Sequence, residues 1–254
     1  MTAIEPARGP APRLAWQLAR VRDVVVETPR VKSVMLHVRD WPGHRVGQHV
    51  DIRLTGEDGY QAQRSYSIAS PPEDDLLALT VERIEDGEVS PYLVGELRSG
   101  DQFELRGPIG GYFVWTVADG GPLCLIAGGS GIAPLMAMLR HRERRNDRTP
   151  ATLLYSSRTV NDIIYRHELD AMAARDGALR LVHTLTRERP IGWTGHQGRI
   201  DRALLAQTCS PPAQKPKIFV CGPTPFVEDV SRFLVELGHD SLAVRTERFG
   251  PSGG

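Results

Sequence analysis

Arg64, Ser65, Tyr66 and Ser67 stand in one unbroken row. Arg64 brings a permanent charge with forked donors, which suits a phosphate oxygen. Tyr66 brings a flat face for another ring system. In an alternating strand these two share a face, so charge and ring can grip one ligand, while Ser65 and Ser67 point elsewhere. Ser67 adds a hydroxyl and a backbone amide beside the ring. A second segment, Gly87-Glu88-Val89-Ser90-Pro91-Tyr92-Leu93, reads as a loop entering a helix. Ser90 is expected as the N-cap and Pro91 at the first helical position. The free amides and positive dipole end of such a start suit a phosphate.

Gly128-Gly129-Ser130-Gly131-Ile132-Ala133-Pro134 follows an apolar run and opens an amphipathic one. Glycines let the backbone approach a pyrophosphate, and helix-start amides then receive it. The spacing departs from the standard dinucleotide fingerprint. Cys221-Gly222-Pro223 ends a later apolar run. A turn there keeps Cys221 near whatever lies above the carboxyl ends of the strands. The alternative is a buried cysteine behaving as a small apolar residue. Two places carry cations and hydroxyls that suit a ribose 2′-phosphate. One is Ser156-Ser157-Arg158; the other is Thr186-Arg187-Glu188 followed by Gly198-Arg199-Ile200. The alternative for these arginines is solvated strand ends.

The elements that position these residues change style near residue 118. Before it, segments 34–38, 49–54, 77–82 and 102–105 alternate as antiparallel strands, with turns at Pro42-Gly43, Asp58-Gly59 and Ser99-Gly100-Asp101. They predict a small Greek-key β-barrel over residues 14–118. After it, apolar strands at 123–127, 152–155, 179–184, 218–221 and 242–244 alternate with helices at 132–145, 162–175 and 225–237. That alternation predicts a doubly wound parallel α/β domain over residues 119–254. In the last helix Phe226, Val230, Phe233, Leu234 and Leu237 form one stripe, and Gly238 is the stop. Asp119-Gly120-Gly121-Pro122 is the junction, and residues 1–13 read as a loose tail.

The 254 residues suffice for two modest cores. A formal net charge of zero gives no pull toward nucleic acid or a membrane surface. No stretch has the apolar length of a membrane span, and the start lacks the apolar core of a secretion signal. Cys124, Cys209 and Cys221 are the whole cysteine set. An odd, sparse set suggests a reducing compartment, hence a cytoplasmic location, rather than a disulfide framework. It is also too small for the thiolates of a two-iron ferredoxin cluster, and no metal site is expected.

With these motifs in this order, the chain resembles the ferredoxin–NADP reductase superfamily of flavoproteins over residues 16–249. The resemblance implies FAD in the barrel domain. Arg64 would meet its pyrophosphate, Tyr66 its isoalloxazine and Ser67 its reactive nitrogen, while Gly87 and Ser90 match a Gly-x-x-Ser element against the pyrophosphate. Gly128 to Pro134 match the family's nicotinamide-nucleotide turn throughout. Cys221, with Gly222 and Pro223, falls where hydride passes. Glu247-Arg248-Phe249-Gly250-Pro251 matches the bacterial ending, with Glu247 near the nicotinamide and Phe249 close to the flavin. Ser67, Cys221 and Glu247 form the implied catalytic set. NADPH-using relatives show Ser-Arg-Glu, then Gly-Gly-Arg before Tyr. Here Thr186 replaces the Ser and Asp201 the Tyr. NADPH is the expected nucleotide and NADH the alternative. The implied reaction passes hydride from NAD(P)H to FAD, then single electrons to a ferredoxin, flavodoxin or oxygenase component. A fused ferredoxin domain would begin at Pro251-Ser252-Gly253-Gly254, where the chain stops, so a separate acceptor is expected. The alternatives are an electron-transfer subunit of a larger complex, a free-flavin or small-molecule reductase, and a regulatory flavin-binding module.

Overall fold

The computed structural model describes residues 14–250. The tail at 1–13 and the ending Pro251-Ser252-Gly253-Gly254 lie outside the described residues.

The first half is antiparallel: β1 (Gln17–Thr28), β2 (Val31–Val38), β3 (His49–Thr55), β4 (Gln61–Ser67), β5 (Leu77–Glu82), a short helix α1 (Ser90–Gly95) and β6 (Gln102–Ile109). The order across the sheet is β4-β3-β6-β1-β2-β5. A bridge between Ile68 and Leu79 joins the two edges, so the sheet closes as a barrel. The spatial run β6-β3-β4-β5 is a Greek key. Its interior holds Val21, Leu36, Ile52, Leu79 and Leu105, all essentially inaccessible.

The second half is parallel: β7 (Leu123–Gly128), α2 (Ile132–Arg144), β8 (Ala151–Ser157), α3 (Arg166–Arg175), β9 (Leu179–Leu185), β10 (His196–Gln197), α4 (Arg202–Thr208), β11 (Lys217–Pro223), α5 (Thr224–Glu236) and β12 (Val244–Phe249). The order is β10-β9-β8-β7-β11-β12. Alternation along each strand feeds two cores. Leu123, Leu125 and Ala127 of β7 join Phe219 and Cys221 of β11 in one, beneath α2 and α3. Cys124 and Ile126 join Ile218 and Val220 in the other, beneath α4 and α5. The barrel's Phe113 and Trp115 enter the first core, so the two halves share it. Helix α2 is buried on nearly every side because the barrel covers the face that the sheet leaves open: Ala133 packs against Ala69 and Ala78.

Several elements depart from the sequence reading. The helix expected from residue 162 begins at Arg166. Thr159 and Asp162 cap a separate short turn, and Tyr165 then takes a left-handed φ of 59°. Ser90 does not cap α1; Val89 holds that position, and the Ser90 hydroxyl instead accepts from the Ile84 amide at 3.0 Å. The strand expected at 242–244 is a 3-10 turn followed by β12, which carries Glu247 and Phe249 onto the sheet. Cys124 and Cys209, 85 residues apart, pair as a disulfide with Cα atoms 5.7 Å apart. This corrects the expectation, drawn from the sparse cysteine set, of no disulfide; Cys221 alone is a free thiol. Sequence spacing carries no sign that the first α/β strand and the end of α4 share one side of the sheet. Among the described residues no helix is long and apolar enough to cross a membrane.

Candidate functional site

In the parallel sheet, β7 is the earliest strand, and later strands run outward from it on both sides. The gap above β7 and β11 is thus the topological switch point, where such sheets bind ligands. The glycine run leaves β7 on one side of it, and Cys221-Gly222-Pro223 leaves β11 on the other. They touch: a Cβ on Gly131 would stand 2.2 Å from the Cys221 carbonyl oxygen, so only glycine fits. Gly129 needs its own freedom, with φ at +56°. Gly128 and Gly222 both lie against the Phe226 ring. Pro134 is buried in the first turn of α2, beneath this junction.

Across the gap stands the mouth of the barrel. A cleft of about 670 Å³ is lined by Arg64, Ser65, Tyr66, Ser67, Gly87, Ser90, Ser130, Glu247 and Phe249, among others. That volume suits a sizeable organic ligand. Strand β4 pairs with β3, setting Arg64 opposite Ile52, Tyr66 opposite Val50 and Ser67 opposite His49. Tyr66 is half-buried against the barrel core. Burial pushes its phenol well above the ordinary value, so it stays neutral. Ser65 turns to Asp51, donating to its carboxylate at 2.6 Å. The Gly87 amide closes a tight turn onto the Ile84 carbonyl at 3.0 Å, and a Cβ there would crowd Ser90. Arg64 is half-exposed in the cleft and donates to Glu88 at 2.6 Å.

The three residues of the implied catalytic set meet. Cys221 and Glu247 are register partners on β11 and β12, so they share a face. The Glu247 carboxylate accepts from the Ser67 hydroxyl at 3.3 Å and from the Cys221 thiol at 3.9 Å. Burial pushes the Glu247 carboxyl up to about 7, against the opposing pull of those two donors. Burial, with the neighbouring Glu247, raises the Cys221 thiol well above its ordinary value. It is therefore a neutral thiol and a poor nucleophile.

The remaining candidates lie at the carboxyl ends of the next strands. Ser157 ends β8, its hydroxyl buried without a partner among the described residues. The Ser157 carbonyl accepts from the Thr186 amide at 3.0 Å, and the Arg158 carbonyl from the Arg187 amide at 2.9 Å. Gly198 is drawn beside them by the Leu185 carbonyl at 2.8 Å. Arg187 and Arg199 are exposed and form no ion pair among the described residues. Asp201 is spent on capping α4, accepting from the Leu204 amide at 2.8 Å. Sequence reasoning missed Glu82, which ends β5 and accepts from both Ser130 and Arg158. It missed Glu88 as the partner of Arg64, and His49, which borders the cleft and whose ring burial holds below the ordinary value. No local pattern marks any of the three.

This geometry is that of a two-domain FAD- and NAD-binding oxidoreductase. Residues 21–114 match the family described as the oxidoreductase FAD-binding domain, and residues 125–232 the oxidoreductase NAD-binding domain. The chain is 32% identical over 211 residues to the glycine betaine monooxygenase reductase subunit of Pseudomonas aeruginosa, covering 81% of this chain and 56% of that protein. It therefore spans little more than half the length of that relative. It is 32% identical over 205 residues to NADH-cytochrome b5 reductase 1 of Aspergillus oryzae, covering 78% of this chain and 69% of the other. The FAD/NAD-binding domain of a nitric oxide dioxygenase from Vibrio cholerae superposes with a TM-score of 0.82 at 27% identity, covering 92% and 99%. The chain belongs to the ferredoxin–NADP reductase family.

Proposed function

We propose that the chain is an NAD(P)H-dependent flavoprotein reductase that serves a separate electron acceptor, such as a ferredoxin, a flavodoxin or an oxygenase component. FAD, when bound, accepts two electrons as hydride and releases them singly. The residues present fit it: the cleft has the volume, a partly exposed guanidinium, a half-buried ring face and a tight turn at Gly87 where a Cβ would crowd Ser90. Arg64 would hold the pyrophosphate with the Gly87–Ser90 turn, Tyr66 would flank the ring system, and Phe249 would cover it. Gly128 to Pro134 would receive the nicotinamide dinucleotide at the start of α2. Ser157, Arg158 and Thr186 would border it, with Gly222 and Pro223 shaping the opposite wall. Exposed Arg187 and Arg199 support NADPH, while the NADH-named fungal relative supports NADH.

Ser67, Cys221 and Glu247 orient the reacting faces and exclude water. Hydride transfer requires no nucleophile, which agrees with a thiol held neutral. The reductase subunit among the relatives supports a separate acceptor. The division at 14–118 and 119–254 is part of the proposal. So is a cytoplasmic location, although the Cys124–Cys209 disulfide removes the cysteine argument that favoured it.

One observation carries the reading. Glu247 links Ser67 of the barrel half to Cys221 of the α/β half in the cleft that Arg64 and Tyr66 also line. The test is the visible spectrum of the purified protein under anaerobic conditions. A flavin spectrum that bleaches on NADPH or NADH is expected. A colourless protein that takes up no FAD, or a flavin that neither nucleotide bleaches, would sink the proposal.

A further inference from the structure

We infer that Glu82 stands where a phosphate of the nicotinamide nucleotide must go, so that the nucleotide binds only by displacing it. The inference rests on the proposed nucleotide site and names a residue that sets its affinity. Glu82 is the last residue of β5, in the flavin half. Its side chain crosses to the other half and uses both oxygens there. Oε2 accepts from the Ser130 hydroxyl at 2.8 Å, and Oε1 accepts from the Arg158 guanidinium at 2.9 Å. Oε2 also lies 4.0 Å from where a Cβ on Gly129 would stand.

These donors leave two adjacent strands, β7 and β8, at their carboxyl ends, and Ser130 leads directly into the thirteen-residue helix α2. A hydroxyl, a guanidinium and a helix start facing one point are the donors a phosphate would take. The Glu82 carboxylate already occupies two of the three, with one oxygen on the hydroxyl and one on the guanidinium. Glu82 is only a quarter exposed, so its charge faces any incoming anion with little screening. Two anions cannot share these donors, and the one the protein itself supplies is Glu82. The same contact ties β5 to the glycine run, so displacing it also loosens one link between the halves.

The experiment titrates the flavin-loaded protein with oxidised NAD and NADP by calorimetry. Glu82→Gln keeps the size and an acceptor for Ser130 but removes the charge. It should bind both nucleotides about tenfold more tightly, equivalent to roughly 1.4 kcal/mol. Glu82→Ala should show the same direction, and the flavin content of each variant reports folding. Arg158→Ala should weaken binding, and Glu82→Gln should gain less in that background because half of the competition is gone. Unchanged or weaker binding in both Glu82 variants, with normal binding in the parent, overturns this inference alone. No nucleotide binding by the parent and both Glu82 variants overturns the proposed function with it.

Discussion

Replacing Glu247 with Gln should make the protein more stable at neutral and alkaline pH, and should leave it almost unchanged near pH 4. The reason is a carboxyl that the fold prefers neutral. Burial raises it from an ordinary 4.5 to about 7. The folded chain therefore holds its proton where the unfolded chain has already lost it. Stability must then fall as pH rises through that window, because the native state binds more protons than the unfolded one. Below 4.5 both states are protonated and there is no cost; above about 7 the cost is complete. At about 1.36 kcal/mol per unit, the full gap is worth roughly 3 kcal/mol. Glu247 borders an open cleft, so water screens part of this, and about 1–2 kcal/mol is the measurable share. Glutamine has the same shape and still accepts from Ser67, but it has no charge to lose. The assay is urea unfolding of the flavin-free protein and the variant, followed by tryptophan fluorescence from near pH 4 to near pH 8. Other titrating groups are common to both and cancel in the difference. The variant should gain on the parent progressively as pH rises, then level off. Parallel curves, or a parent that gains on the variant, would refute a buried neutral carboxyl.

The same ionisation should appear in turnover. Flavin reduction by NADPH should quicken as pH rises through about 7 in the parent, because an ionised Glu247 favours the cation left when hydride departs, and Glu247→Gln should flatten that profile in stopped-flow traces. Cys221→Ala should keep the flavin and slow its reduction, and an unchanged single-turnover rate would remove Cys221 from the site. Arg64→Ala and Tyr66→Ala should each weaken flavin retention, the first by roughly 1.5–3 kcal/mol, read as loss of colour on dialysis. Arg187→Ala with Arg199→Ala should raise KM for NADPH more than tenfold and spare NADH, at about 1.5–3 kcal/mol per lost contact. A preference that falls only with Arg158→Ala would move the 2′-phosphate to the other strand end.

What was legible in the sequence is what a short stretch can encode alone. Arg64 and Tyr66 share a face because strands alternate, and the glycine run is readable because only glycine tolerates its backbone and its closeness to Cys221. Strand β1 was missed although it runs twelve residues, because its half-solvated, charged sequence lacks a clean apolar beat. The two-residue β10 and seven-residue α4 were missed because neither is long enough to show a period. The register that sets Glu247 beside Cys221 was also hidden, since β12 begins two residues after the expected strand.

The deeper omission concerns partners. Sequence motifs display the donors of a phosphate site, because those donors cluster along the chain. They do not display the acids that occupy the donors in the protein itself. Arg64 is held by Glu88, 24 residues away, and Arg158 by Glu82, 76 residues away in the other half of the molecule. Pairing each of these two cations with a carboxylate keeps it ordered, at the cost of some ligand affinity. Arg64 and Arg158 are thus each half of an ion pair whose acid only the packed fold reveals, while Arg187 and Arg199 stand without one among the described residues.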